Sequence, residues 1–109
     1  MITCTFLKSG DRFIGFECKG HAGFARAGRD IVCAGASILT IACANALESV
    51  AHAKPEAACE DGFLSVFLPR NQRSHDTDVI LLTLMQGMQD LRETYPKYVT
   101  LTEKSIMEE

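Results

Sequence analysis

The sequence predicts an α/β domain of the α+β type, in the element order β-β-α-β-β-α-β, with mainly antiparallel strands and two helices packed on sheet. Three observations carry that prediction. Residues 2–19 alternate in period two around a tight turn, and residues 63–68 alternate after the Asp61-Gly62 turn. Residues 77–94 carry apolar side chains at helical spacing, and residues 31–50 form an apolar run that opens behind the N-cap type Asp30. The whole chain, 109 residues with 47% hydrophobic composition, suits one domain with one core.

In chain order, Ile2, Cys4 and Phe6 face one way and Thr3, Thr5 and Leu7 the other, so Ile2 to Lys8 reads as a strand. Ser9-Gly10-Asp11 is a turn. Phe13 to Lys19 alternates again, with Ile14, Phe16 and Cys18 on one side, and completes a hairpin. Ala22 to Arg29 has two glycines and no periodicity; it reads either as a surface connection or as a flap with Phe24 as its apolar contact. Asp30 is a favoured N-cap type, which starts a helix at Ile31 that runs to about Val50 and puts Cys33 in its first turn. Ile31, Ile38, Leu39, Ile41, Leu47 and Val50, with alanines between them, make this helix apolar nearly all round. It is expected between sheet and second helix, or at a subunit contact. Asp61-Gly62, flanked by Ala57 to Glu60 and by Phe63 to Leu68, signals a second hairpin.

Pro69 to Ser74 is a polar connection. Leu81, Leu84, Met85, Met88 and Leu91 form the core stripe of a second helix over Thr77 to Thr94. Tyr95-Pro96 stops it, and Tyr98 to Thr102 reads as the last strand, with 104–109 as a frayed tail. The partition of strands into sheets is not readable from this pattern.

A net charge of -3 without a clustered basic face argues against direct nucleic-acid binding. The N-terminus has no basic n-region followed by a long apolar run. The run Ile31 to Ala44 is interrupted by Gly35, Ser37 and Thr40 and falls short of the roughly 20 residues a membrane span needs. The expectation is a cytoplasmic protein without a membrane partner. Five cysteines without a CxxC are expected as free thiols in a reducing compartment. The three histidines are scattered, so neither a metal site nor a cofactor is expected.

The chemistry concentrates between Gly20 and Ser37. His21 lies just past a strand end and Cys33 at a helix start, joined by the loop. A cysteine attacks as thiolate, which a helix N-terminus favours, and an adjacent imidazole takes and returns the proton. His52 is a poor alternative partner, about 28 Å from Cys33 along the helix at 1.5 Å per residue. Ser37, four residues on, shares the face of Cys33; it reads either as a hydroxyl bonded back to a helix carbonyl or as a group beside the thiol.

Gly20-His21-Ala22, then Gly28-x-Asp30-Ile31-Val32-Cys33-Ala34 and Ser37, resembles the signature of the ribosomal-processing cysteine protease Prp family. Asn45-Ala46-Leu47-Glu48 and Tyr95-Pro96-Lys97-Tyr98-Val99 extend the resemblance through nearly the whole chain. It implies a homodimeric intracellular endopeptidase that removes a short apolar N-terminal extension from large-subunit ribosomal protein twenty-seven, cutting after aromatic residues. It also implies His21 as general base and acid, Cys33 as nucleophile, and Asp30 and Ser37 in support. Gly23, Phe24, Arg26, Gly28 and Arg29 would form the substrate loop. The rival expectations are a non-enzymatic ribosome-associated binding module and another thiol acyl-transfer enzyme.

Overall fold

The computed structural model describes residues 1–108. Five strands, β1 (Ile2–Ser9), β2 (Arg12–Lys19), β3 (Glu56–Glu60), β4 (Phe63–Phe67) and β5 (Val99–Ser105), form one sheet in the order β3-β4-β2-β1-β5. Helices α1 (Ile31–Ser49) and α2 (His75–Thr94) pack on it, so the mixed α+β architecture is as expected. Both hairpins form as their turns require. The return between them is antiparallel, β2 on β4, whereas β5 joins β1 in parallel, from Ile2↔Val99 to Lys8↔Ser105.

The core lies between the helices and one face of the sheet. Ile2, Cys4 and Phe6 of β1 point into it with Phe16, Val32, Leu47, Leu81 and Met88, while Thr3, Thr5 and Leu7 stay half-buried on the other face. Period two predicted Ile14, Phe16 and Cys18 inside and left Phe13 outside. Phe13 is buried too, with its ring 5.5 Å from that of Phe6. The cause is a register shift: Leu7 faces Gly15 but Lys8 faces Phe13, and such a bulge resets the alternation.

Three further expectations are corrected. Cys4 and Cys18 are directly opposed across β1 and β2, Cα–Cα 4.1 Å, and are joined as a disulfide. Cys33, Cys43 and Cys59 are the free thiols among the described residues. α2 begins at His75, two residues earlier than expected, with Ser74 as its cap. The tail does not fray at 104: β5 continues through Ser105, the Ile106 N–H bonds to the Lys8 carbonyl, and Glu108 takes a bidentate bond from Arg73 at 2.7 and 2.8 Å. Glu109 lies outside the described residues.

α1 departs most from a buried core helix. Val32, Ala36, Thr40, Cys43 and Leu47 turn inward, but Ile31, Ile38, Ile41 and Val50 are exposed, Ile38 at 71%. By length and composition α1 would also pass for a membrane span; here its inward stripe belongs to the sheet-and-helix core. β3 is exposed along its length, and an open cleft of about 740 Å³ runs between α1 and the β2–β4–β3 part of the sheet.

Candidate active site

Each sequence-predicted residue owes its place to a local device. His21 follows β2 through Gly20, whose φ is +95° and whose Cα lies against the Met1 carbonyl with no room for a side chain. The Met1 amino group donates to the carbonyl oxygens of His21 and Ala22, and the Gly20 N–H donates to the Gly62 carbonyl at 2.8 Å. The segment carrying the imidazole is thus tied both to the start of β1 and to the β3–β4 turn.

Asp30 caps α1. Its Oδ1 accepts the N–H groups of Val32 and Cys33, each at 3.0 Å, as an N-cap carboxylate should. Its Oδ2 accepts from the N–H groups of Phe24 at 3.1 Å and Ala25 at 3.4 Å. The Cys33 N–H, with help from Ala25 and Phe24 and against desolvation, holds the carboxyl below its usual range. One side chain therefore serves two tasks, the helix and the loop. It makes no hydrogen bond to His21 among the described residues.

Cys33 is half-buried in the first turn of α1 and faces the loop: the Ala22 N–H points at its Sγ, 3.2 Å away. His21 and Cys33 line the same cleft, together with Ser37, Gly23 and Gly28. No hydrogen bond joins imidazole and thiol among the described residues; the ring sits on the far wall, its Nε2 3.9 Å from Asp61 Oδ2. The Ser37 hydroxyl bonds to no helix carbonyl among the described residues and is exposed at the cleft; Thr40 makes that back-bond instead, to Ala36 at 2.8 Å.

The loop divides. Phe24 leaves the cleft and packs edge-on against Tyr95 and Tyr98, ring centroids 5.4 and 5.2 Å apart. Arg26 and Arg29 are exposed and do not line the cleft. Of the five loop residues expected to meet substrate, Gly23 and Gly28 reach it. The sequence reading missed the opposite wall, made of Cys59, Glu60, Asp61, Gly62, Phe63 and Leu64. The signal was present as a hairpin turn, but its place beside His21 depends on β4 pairing with β2.

The remaining free thiols differ. Burial pushes Cys43 up to about 12, which keeps it protonated. Cys59 is exposed on β3. The described residues hold no cluster of three or more metal-ligating side chains.

Known proteins match this arrangement. The family model for cysteine protease Prp matches residues 1–100. The ribosomal processing cysteine protease Prp of Bacillus subtilis is 39% identical over 56 residues, so this chain spans about half the length of that relative, and half of this chain takes part. Prp of Staphylococcus aureus is 29% identical over 86 residues, 78% of this chain and 81% of that one. The crystal structure of the essential S. aureus protease in complex with a covalently linked product peptide superposes with a TM-score of 0.88 at 26% identity, over 95% of this chain and 100% of that one. With a thiol in the first turn of a helix, an imidazole across a cleft and a family match over residues 1–100, this chain belongs to the Prp family of cysteine proteases.

Proposed function

We propose that Cys33 and His21 are the nucleophile and the general base of this protease, and that its substrate is the apolar N-terminal extension of large-subunit ribosomal protein twenty-seven. The observation that carries the reading is the placement of the Cys33 thiol in the first turn of α1, at the floor of a cleft large enough for several peptide side chains, with His21 on the same cleft. The S. aureus relative, solved with a covalently linked product peptide, supports a reaction that passes through covalent attachment of a peptide.

The thiol gives its proton to the imidazole, and the Cys33 thiolate attacks the scissile carbonyl. The tetrahedral intermediate collapses to a thioester as the protonated imidazole donates to the leaving amine. Water, deprotonated by His21, then releases the acid product. The amides at the start of α1 are not free to hold the oxyanion: Val32 and Cys33 bond to the Asp30 carboxylate and Ala34 to the Asp30 carbonyl at 3.1 Å. The Ala22 N–H, already aimed at Sγ, is the donor that the new C–S bond brings within reach of the oxyanion. Asp30 supports this donor by holding the loop, and Ser37 lines the cleft one turn along α1.

The exposed Ile31, Ile38 and Ile41 on α1 support a homodimer in which a second copy covers that face. Cytoplasmic residence follows from the same reading, since the substrate is a ribosomal protein. The direct test incubates the chain with ribosomal protein twenty-seven carrying its extension and reads the product by mass spectrometry. Loss of the extension is expected; an intact substrate with properly folded protein leaves the binding-module reading in its place.

A further inference from the structure

The wall of the cleft opposite Cys33 carries an arrangement that the acyl-transfer scheme does not use. The His21 imidazole lies directly against the turn of the β3–β4 hairpin. A Cβ placed on Gly62 would stand 2.7 Å from Nε2, 3.2 Å from Cε1 and 3.4 Å from Cδ2, so the ring occupies the space a side chain there would need. The neighbouring carboxylate, Asp61 Oδ2, is 3.9 Å from Nε2. The Gly20 N–H to Gly62 carbonyl bond fixes the turn to the backbone one residue before His21. Ring, carboxylate and backbone are thereby referred to one rigid hairpin.

We propose that Asp61 and Gly62 are positioning residues for His21: Gly62 supplies the bare surface on which the imidazole rests, and Asp61 supplies a carboxylate at ion-pair distance from its Nε2. The proposal rests on the assignment of His21 as general base. Its physical content is separable into a steric and an electrostatic part. A side chain at position 62 meets the far end of an exposed side chain rather than backbone, so the ring moves and the fold stays. The charged groups on the same cleft as His21 are Lys19, Asp30, Glu60 and Asp61, with the Met1 amino group on its carbonyl. Asp61 is the one of these whose charge is in ion-pair range of the ring among the described residues.

The molecule contains its own control. Gly10, in the β1–β2 turn, has φ +61° against +70° at Gly62, and nothing lies within 4 Å of its Cβ position. Asparagine tolerates this left-handed backbone better than other residues with a side chain. Gly62→Asn and Gly10→Asn therefore impose like backbone costs, and one of them alone displaces an imidazole.

The experiment measures peptide cleavage for wild type, Gly62→Asn, Gly10→Asn, Asp61→Asn and His21→Ala. Gly62→Asn is expected to lower kcat by roughly tenfold or more, the scale of a misplaced catalytic group, with KM little changed and thermal stability equal to that of Gly10→Asn. Gly10→Asn is expected to keep wild-type kcat. Asp61→Asn, a change at a fully exposed side chain, is expected to slow Cys33 alkylation by iodoacetamide at neutral pH about twofold at low salt. That difference should vanish at 0.5 M salt, where exposed charges are screened. A Gly62→Asn kcat within twofold of wild type or above it, or a loss matched by Gly10→Asn, overturns the steric part. A salt-independent or absent Asp61→Asn effect overturns the electrostatic part, and that arm remains readable if Gly62→Asn fails to fold. Full activity in His21→Ala would instead remove the general-base assignment on which both parts rest.

Discussion

The two helices begin with the same device and use it differently. Ser74 caps α2 by a reciprocal pair: its hydroxyl accepts the Thr77 N–H at 3.2 Å, and the Thr77 hydroxyl accepts the Ser74 N–H at 2.9 Å. Every bond of that cap closes on the helix it starts. Asp30 divides its two oxygens between helix and loop. The helices differ on their outer sides as well. α2 follows the amphipathic pattern, with Leu81, Leu84 and Met88 inside and Gln86, Gln89 and Asp90 outside, whereas α1 shows isoleucines to solvent. A cap that satisfies only its own helix builds scaffold; a cap with an acceptor to spare ties a helix start to a neighbouring segment and makes a site.

The comparison is broken most severely at the thiol. Cys33→Ala is expected to lower cleavage by on the order of 10³-fold or more while the circular dichroism spectrum and melting temperature stay close to wild type. Comparable turnover in that variant would mean that α1 is as purely structural as α2. Asp30→Asn comes next, because it separates the two uses of one cap. An Asn oxygen still caps Val32 and Cys33, but its NH₂ cannot accept from Phe24 and Ala25. Cleavage is expected to fall roughly tenfold, the scale of a misplaced catalytic group, and amide exchange at Phe24 and Ala25 to quicken, with α1 still protected. Protection of both loop amides at the wild-type level would sink the shared-cap account.

The outer faces supply the third comparison. Ile38→Glu on α1 is expected to halve the particle mass seen by light scattering at micromolar concentration, and Leu82→Glu on α2 to leave it unchanged. Wild type already running as a monomer would reject the dimer. Ser74→Ala should be a stability effect alone, about 1 kcal/mol in a denaturant titration, with kcat unaltered.

The smallest effect concerns the tail. The hydrogen bond from Arg73, then that from Ser9, together with the charges of Arg73 and Arg70, holds the Glu108 carboxyl at about 2 against an ordinary 4.5. A depressed carboxylate stabilises the fold fully above its unfolded value and loses that contribution as pH falls through the folded one. Wild type should therefore melt higher than Glu108→Gln above pH 4.5, and the two curves should converge as pH approaches 2. A constant offset across that range would assign the tail's contribution to something other than this carboxylate.

What the sequence disclosed follows from the range of each interaction. Period two in residues 2–8, the Asp61-Gly62 turn and the Leu/Met stripe of α2 are local patterns, and each became the element expected. Asp30 as cap and Cys33 in the first turn were legible for the same reason. Phe13 was misplaced because a bulge adds one residue that no composition signals. The Cys4–Cys18 pairing depends on the register between β1 and β2, and the ordered tail depends on Arg73. The wall facing Cys33 was hidden most completely, because it needs β4 beside β2 across a gap that includes all of α1.

The parallel pairing of β1 with β5 has a consequence for how the molecule comes into being. Thr5 and Thr102, whose hydroxyls meet at 2.8 Å, stand 97 positions apart in the sequence. Until residues 99–105 are present, β1 exposes a bare row of backbone donors and acceptors on one side. Pairings this distant close large loops before any contact rewards them, which slows folding. A nascent or truncated chain ending before Val99 would hold Cys33 and His21 but lack the strand that pairs with β1, the strand next to the one that carries His21 at its end. Folding order thereby withholds a finished sheet, and the protease built on it, until the last strand has been made.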